Sequence, residues 1–187
     1  MTALGIASDE ALGSKPAREL PLAERVDGGE LTLFYNRVGP RLWGFLLAQT
    51  GDSTVADDLT QEAFTRVLAS RFSPESDEHL TRYLFRTAIH LVQDRGRAAK
   101  RRPLPLEQAP EPACGPPAGG GGLRRDLLRA LAELKPRDRQ LVWLAHVEEL
   151  GHAEIAEITG LHAASIRVLL FRARRRLAKR LGGPGPS

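Results

Sequence analysis

Residues 154–177 read "EIAEITGLHAASIRVLLFRARRRL", two short helical patterns around a glycine. A helix-turn-helix needs a small residue where its first helix packs on the second and a residue tolerating positive φ four positions later. It also needs a branched apolar residue farther on, to lock the second helix. Ala156, Gly160 and Ile166 meet these demands in order. From Ile166 an inward stripe continues through Leu170, Ala173 and Leu177 at three- and four-residue steps. The outward positions include His162, Ser165, Arg167, Val168, Phe171, Arg172, Arg175 and Arg176. An arginine grips phosphates or reads guanine, and a hydroxyl or imidazole does either more weakly, so this face is a candidate DNA reader. Val168 and Phe171 are the exception in so basic a face. They suit either thymine methyl groups or the footprint of a protein partner.

The charge of the chain is distributed in a way that supports a polyanionic partner at this end. The net charge of +4 is modest, but residues 1–30 hold six acids against three bases, whereas residues 162–187 hold seven bases and no acid. The single cysteine, Cys114, allows neither an internal disulfide nor a multi-thiolate metal site, which points to a reducing, cytoplasmic setting. No apolar run approaches the ~18 residues of a membrane span, and "MTALGIASDEALG" lacks the basic start and apolar core of a secretory signal. Membrane insertion, a metal site and a cofactor are therefore not expected.

Working outward, residues 123–182 read as four helices. Leu123, Leu127, Leu131 and Leu134 stripe the first, Pro136 opens the second, Gly151 offers a permissive N-cap for the third, and Gly160 ends it. Upstream, residues 103–122 hold six prolines and five glycines in "PLPLEQAPEPACGPPAGGGG", which can neither propagate a helix nor bury a core. They form a flexible linker whose root-mean-square span is roughly 25 Å. Residues 28–102 carry three helical patterns. In the first, Leu31, Phe34, Tyr35, Val38, Leu42, Phe45 and Leu46 face inward, and Gly39-Pro40 is expected to bend or interrupt the helix. In the second, Thr54 and Asp57 have the form of a capping box. Val55, Leu59, Ala63 and Val67 point inward there, and Asp58, Gln61, Glu62 and Thr65 form a polar face. The third buries Leu80, Leu84, Thr87 and Leu91 and ends in five bases between 95 and 102. Residues 1–27 read as a mobile extension and 183–187 as a tail. The expected class is all-α, two small helical domains on a Pro/Gly-rich tether.

The order "ADDLTQEAF", "TRYLFRTAIHLVQDRGR", a loose linker, then "LAELKPRDRQLVWLAHVEELGHAEIAEITGLHAASIRVLLFRARRRLAKRL" resembles the extracytoplasmic-function (ECF) sigma factors of bacterial RNA polymerase. The likeness spans roughly residues 28–182. It implies a region-2-like bundle that docks on core RNA polymerase and opens the minus-ten element, and a region-4-like helix-turn-helix that reads the minus-thirty-five element. Carried over, Asp57, Asp58, Gln61 and Glu62 become the polymerase-docking residues. Tyr83, Phe85, Arg86, His90, Arg95 and Arg97 become the residues that hold the melted non-template strand, with 71–78 as the base-gripping loop. One of Tyr83 and Phe85 is expected in the core, since Leu84 between them is. The minus-thirty-five contacts fall on His162, Ser165, Arg167, Val168, Phe171, Arg172 and Arg175. The chain departs from the family where Tyr83 replaces a common tryptophan and His90 a common asparagine. It departs again where Gly151-His152 and Val168-Leu169 stand in place of serine-containing pairs, changes that bear on the promoter sequence rather than on the fold. An apolar outer face on the last helix suits methyl-rich bases or an anti-sigma regulator that covers it.

Two other classes compete. A polymerase-independent helix-turn-helix repressor or activator would explain 123–182 but leave "DDLTQEAF" and 80–102 without a task. A metal-assisted hydrolase would have to use His146 and His152 with Glu148, Glu149 or Glu154. Those histidines are six apart across a glycine break rather than one helical turn apart, and no catalytic order of residues accompanies them.

Overall fold

A computed structural model describes residues 20–101 and 128–180, and all regular structure among them is helical. Residues 1–19, the 103–122 linker, Leu123, Leu127 and the 183–187 tail lie outside the described residues.

Helix α1 spans Gly28–Thr50. Asp27 caps it, its carboxylate accepting from the amides of Gly29 (2.7 Å) and Glu30 (3.3 Å). The helix runs unbroken through Pro40, contrary to the expected bend. The proline sits on the exposed side, where the Asn36 carbonyl it leaves unbonded can take water, and buried Val38, Leu42 and Phe45 hold the axis on both sides of it. Tyr35, expected inside, is exposed instead and lays its ring against Phe64 at 4.7 Å.

Gly51 takes the left-handed conformation (φ 74°) that ends α1, and Asp52 at once caps α2, Ser53–Ala69, by accepting from the Val55 amide at 3.1 Å. The helix therefore starts before the Thr54–Asp57 pair, and those two residues form no capping box. The inward stripe is as read from the sequence: Leu59, Ala63 and Val67 are buried and Val55 is half-buried. Helix α3, Asp77–Arg101, crosses both with Leu80, Leu84 and Leu91 buried and Thr87 half-buried.

The compact unit begins before residue 28. A 3₁₀ turn at Leu22–Glu24 buries Leu22, whose amide donates to the Ser70 carbonyl at 2.9 Å. Arg25 donates to the Phe72 carbonyl and to Ser73 Oγ (3.3 Å). Residues 20–27, read from the sequence as part of the N-terminal extension, thus pack against the loop between α2 and α3.

The second module comprises a short helix α4 at residues 128–132, α5 at Pro136–His146, α6 at His152–Thr159 and α7 at Ala163–Arg180. Pro136 occupies the first helical turn of α5. Gly151 caps α6 while Glu154 accepts from the Gly151 amide at 2.9 Å, and Gly160 (φ 71°) makes the turn into α7. Ile155, Ile158, Ile166, Leu170 and Ala173 form the helix-turn-helix core against Leu141 and Leu144.

The two modules pack on each other. Trp143 of α5 meets Phe45 of α1, ring centroids 6.4 Å apart, and Gly44 leaves room for it: a Cβ there would stand 3.4 Å from the indole. Arg41 of α1 donates to Glu148 through Nε (3.0 Å) and Nη2 (2.6 Å), and Trp143 Nε1 donates to the same carboxylate at 3.2 Å. Arg139 bridges two helix ends. It donates to the carbonyls of Ala48 (3.0 Å) and Gln49 (2.9 Å) in α1 and to those of Leu131, Ala132 and Leu134 in its own module. Arg82 of α3 lies between Glu154 (3.4 Å) and Glu157 (3.0 Å) of α6.

Candidate nucleic-acid interface

The phase of α7 is set by Ile166, Leu170 and Ala173, which are buried to the last few per cent. That phase turns His162, Ser165, Arg167, Val168, Phe171, Arg172 and Arg175 outward, and all seven are exposed. The arginines of this helix divide by role. Arg176 pairs with Asp138, whose side chain is buried in α5, and Arg174 Nε donates to His146 Nε2 at 2.8 Å. Both therefore fasten α7 to α5. Partial burial, and then the neighbouring Arg174 charge, hold the His146 imidazole below its ordinary range, which keeps it neutral and able to accept that bond. Arg167, Arg172 and Arg175 make no hydrogen bond or ion pair with other described residues and point to solvent beside Val168 and Phe171. The face thus presents three uncommitted cations and two half-exposed apolar side chains.

On α3, Arg86, His90 and Arg97 are exposed on one face, whereas Arg95, also exposed, projects from the other side of the helix, about 140° round from His90. Arg97 is tied locally to Asp94 (3.3 Å) and Gln93 (3.4 Å). Phe85 is not part of this surface. It is 1% exposed, packed edge-to-face on Phe45 of α1 at 5.4 Å, on a helix that α1, α2 and α6 all contact. Of the Tyr83 and Phe85 pair, the core residue is Phe85. Tyr83 stays half-buried at the loop, and Phe72 lies parallel to it, centroids 3.9 Å apart with a 6° interplanar angle. Phe72 falls within the 71–78 loop that the resemblance marks for base gripping, and its stack on Tyr83 is the part the sequence does not reveal.

On α2, Asp57, Asp58, Gln61 and Glu62 are all exposed. Asp57 accepts from Trp43 Nε1 at 2.7 Å and Glu62 pairs with Arg66 at 2.6 Å, leaving Asp58 and Gln61 as the freest of the four. Beside them a groove runs between α1 and α2, lined by Tyr35, Asn36, Gly39, Pro40, Trp43, Asp57, Thr60 and Gln61. The acidic α2 face and the basic α7 face make two surfaces of opposite sign, suited to different partners. Among the described residues no group of three or more His, Cys, Asp or Glu is placed to hold a metal ion, and no helix is long and apolar enough to cross a membrane.

Residues 34–102 match the family described as sigma-70 region 2, and residues 124–177 match sigma-70, region 4. The RNA polymerase sigma factor CarQ of Myxococcus xanthus is 30% identical over 151 residues, 79% of this chain and 87% of that protein. The ECF RNA polymerase sigma factor SigM of Bacillus subtilis is 28% identical over 140 residues, 73% of this chain and 85% of that protein. Among solved structures, the fold is shared with the sigma factor RpoE of Bartonella quintana, seen in complex with the anti-sigma factor NepR. That likeness has a TM-score of 0.64 and 22% identity, covering 82% of this chain and 97% of the other.

Proposed function

We propose, since this chain belongs to the extracytoplasmic-function sigma factors of bacterial RNA polymerase, that it confers promoter-selective initiation by dividing the work among the three surfaces described above. The α2 face, through Asp57, Asp58, Gln61 and Glu62 and the groove beside them, binds core polymerase in the cytoplasm. Tyr83, with Phe72 stacked on it, and Arg86, His90, Arg95 and Arg97 hold the melted non-template strand. Stacking and backbone cations favour the unpaired conformation, at ~1–3 kcal/mol per stacked base. The factor makes no bond. Its differential affinity for the open form shifts the duplex equilibrium. The α7 face reads the upstream element in duplex form. The observation that carries this reading is the partition of five arginines on α7: Arg174 and Arg176 fasten the helix to α5, while Arg167, Arg172 and Arg175 are exposed with no partner among the described residues.

The packed arrangement of the two modules belongs to this mechanism as a state that must open. Elements centred about 25 base pairs apart lie roughly 85 Å apart along the helix axis. Two touching modules of this size have centres about 28 Å apart. Reading both elements at once therefore requires the α1–α5 and α3–α6 contacts to separate. A twenty-residue linker reaches up to about 70 Å when extended, which is sufficient. An anti-sigma regulator would act by holding the modules short of that separation.

The test is in-vitro transcription with purified core polymerase on a library of promoter fragments. Selective transcripts that depend on this factor are the expected result. Stable duplex binding by the factor alone, with no selective stimulation of polymerase, would refute the reading and favour a polymerase-independent regulator.

A further inference from the structure

We infer that Glu154 and Glu157 of α6 occupy Arg82 of α3 in place of a DNA phosphate, so that the packed factor and single-stranded DNA compete for one guanidinium. The inference rests on the reading of the exposed α3 row as the strand-holding surface, and adds to that row a further residue and a competitor within the chain. Arg82, Arg86 and His90 follow at four-residue steps, each about 6 Å farther along the axis and about 40° farther round. Arg97 falls inside the same arc, so Arg82 is the first member of the row, one turn before Arg86 and next to Tyr83. It differs from the others in being covered. Its side chain is 22% exposed, whereas Arg86, His90 and Arg97 are open to solvent. The cover is α6: Glu154 Oε1 lies 3.4 Å from Arg82 Nη1, and Glu157 Oε2 lies 3.0 Å from its Nε.

Exposure distinguishes this contact from a structural clasp. Glu148, which receives Arg41 across the same boundary, is 1% exposed and also holds Trp143, so it belongs to the packing of the two modules. Glu154 and Glu157 are 41% and 47% exposed. Half-exposed carboxylates hold a guanidinium weakly, because water competes for every group involved, and a phosphate backbone can displace them. Their number matters too. Residues 152–159 carry these two acids and neither lysine nor arginine, so α6 brings two negative charges to one cation and the surplus opposes an approaching strand. Beside the pair a cleft of about 380 Å³ opens between the modules, with Thr81, Arg82, Glu154 and Ile158 in its wall. Separation of α3 from α6 then does two things at once: it frees the second module to move upstream and completes the row of cations on the first.

The experiment uses the full chain without polymerase and a fluorescein-labelled, short single-stranded DNA of randomised sequence, with binding read by anisotropy across a salt series. Glu157→Gln is the informative change, since Glu154 also accepts from the Gly151 amide that opens α6. Helicity and melting temperature are checked for each variant. Glu157→Gln should tighten strand binding about fivefold, the scale of one exposed ion pair. It should also steepen the dependence of log affinity on log salt by about 0.7, the counterion release of one more single-strand phosphate. In an Arg82→Gln background the same substitution should do neither, because the guanidinium it unmasks is gone. No gain from Glu157→Gln overturns the inference. So does a gain that survives in the Arg82→Gln background, which would reflect only the altered net charge. Arg86→Ala separates either failure from failure of the strand-face reading. If the α3 row holds the strand, this change weakens binding and flattens the salt slope whatever Glu157→Gln does. If it alters neither, the row does not hold DNA and Arg82 has no place in it.

Discussion

Glu148→Ala is the most direct perturbation of the closed state. The Glu148 side chain is 1% exposed and accepts three hydrogen bonds, two from Arg41 across the module boundary and one from Trp143 within its own module. Removing one partner of a fully buried ion pair costs about 3–5 kcal/mol. Arg41, however, is 45% exposed and regains water when its partner goes. The loss across the boundary is therefore closer to that of one charge-assisted hydrogen bond, about 2 kcal/mol. That shifts the ratio of open to closed molecules roughly thirtyfold toward open. The assay is single-molecule energy transfer between dyes on exposed positions of the two modules, Thr65 in α2 and Lys179 in α7, with Cys114→Ser in the background. Native protein should show mainly high transfer. The variant should populate a second, low-transfer state at unchanged helicity. Arg139→Ala in the same chain removes the bonds to the Ala48 and Gln49 carbonyls and should deepen the effect. If even the double variant keeps the native distance distribution, these groups do not hold the modules together and the reasoning is wrong.

Three further outcomes follow from the geometry. Asp58→Ala and Gln61→Ala should each weaken core-polymerase binding at least about fivefold, measured by fluorescence anisotropy, with little change in melting temperature because both side chains are exposed. Gly160→Ala should destabilise the second module by about 1 kcal/mol in thermal melts. No atom lies within 4 Å of the added Cβ, so the cost is that of the left-handed backbone alone, and a null effect would contradict the φ of 71°. His146 has a folded-state pKa below its ordinary 6.5, so it contributes stability that is fully present above that value and declines as pH falls and the unfolded chain takes up the proton. The melting temperature should drop between pH 7.5 and 5.5, and His146→Gln, which cannot protonate, should show a smaller drop.

How much of this was legible beforehand depended on the range of the interaction that decided each feature. The helix-turn-helix could be read from Ala156, Gly160 and Ile166 because its constraints act within a dozen residues. So could the inward stripes of α2 and α3 and the proline and glycine punctuation of α5 and α6. The misplacements are mostly tertiary. The family likeness puts both Tyr83 and Phe85 on the DNA, and the burial of Leu84 requires one of them inside without saying which; Leu84, Phe85, Ala88 and Ile89 form one buried arc, and α6 as well as α1 packs on this helix. The Thr54–Asp57 spacing imitates a capping box, but Asp52 caps α2 one turn earlier, which leaves the Asp57 carboxylate to Trp43 of α1. The Arg41–Glu148 pair joins residues 107 apart, and charged residues carry no periodicity from which such a partner could be read.

The basic run of α7 shows the same limit within a single helix, and there it bears on function. Its phase, set by Ile166, Leu170 and Ala173, put Arg167, Arg172 and Arg175 outward and could be read in advance. That Arg174 and Arg176 turn back to His146 and Asp138 depends on where α5 lies, which no local pattern reveals. A count of bases over this segment therefore overstates its hold on phosphates, since each arginine spent on α5 is one fewer counterion released on binding. If α7 is the DNA-reading helix proposed above, its salt dependence should therefore follow Arg167, Arg172 and Arg175 rather than the whole basic run.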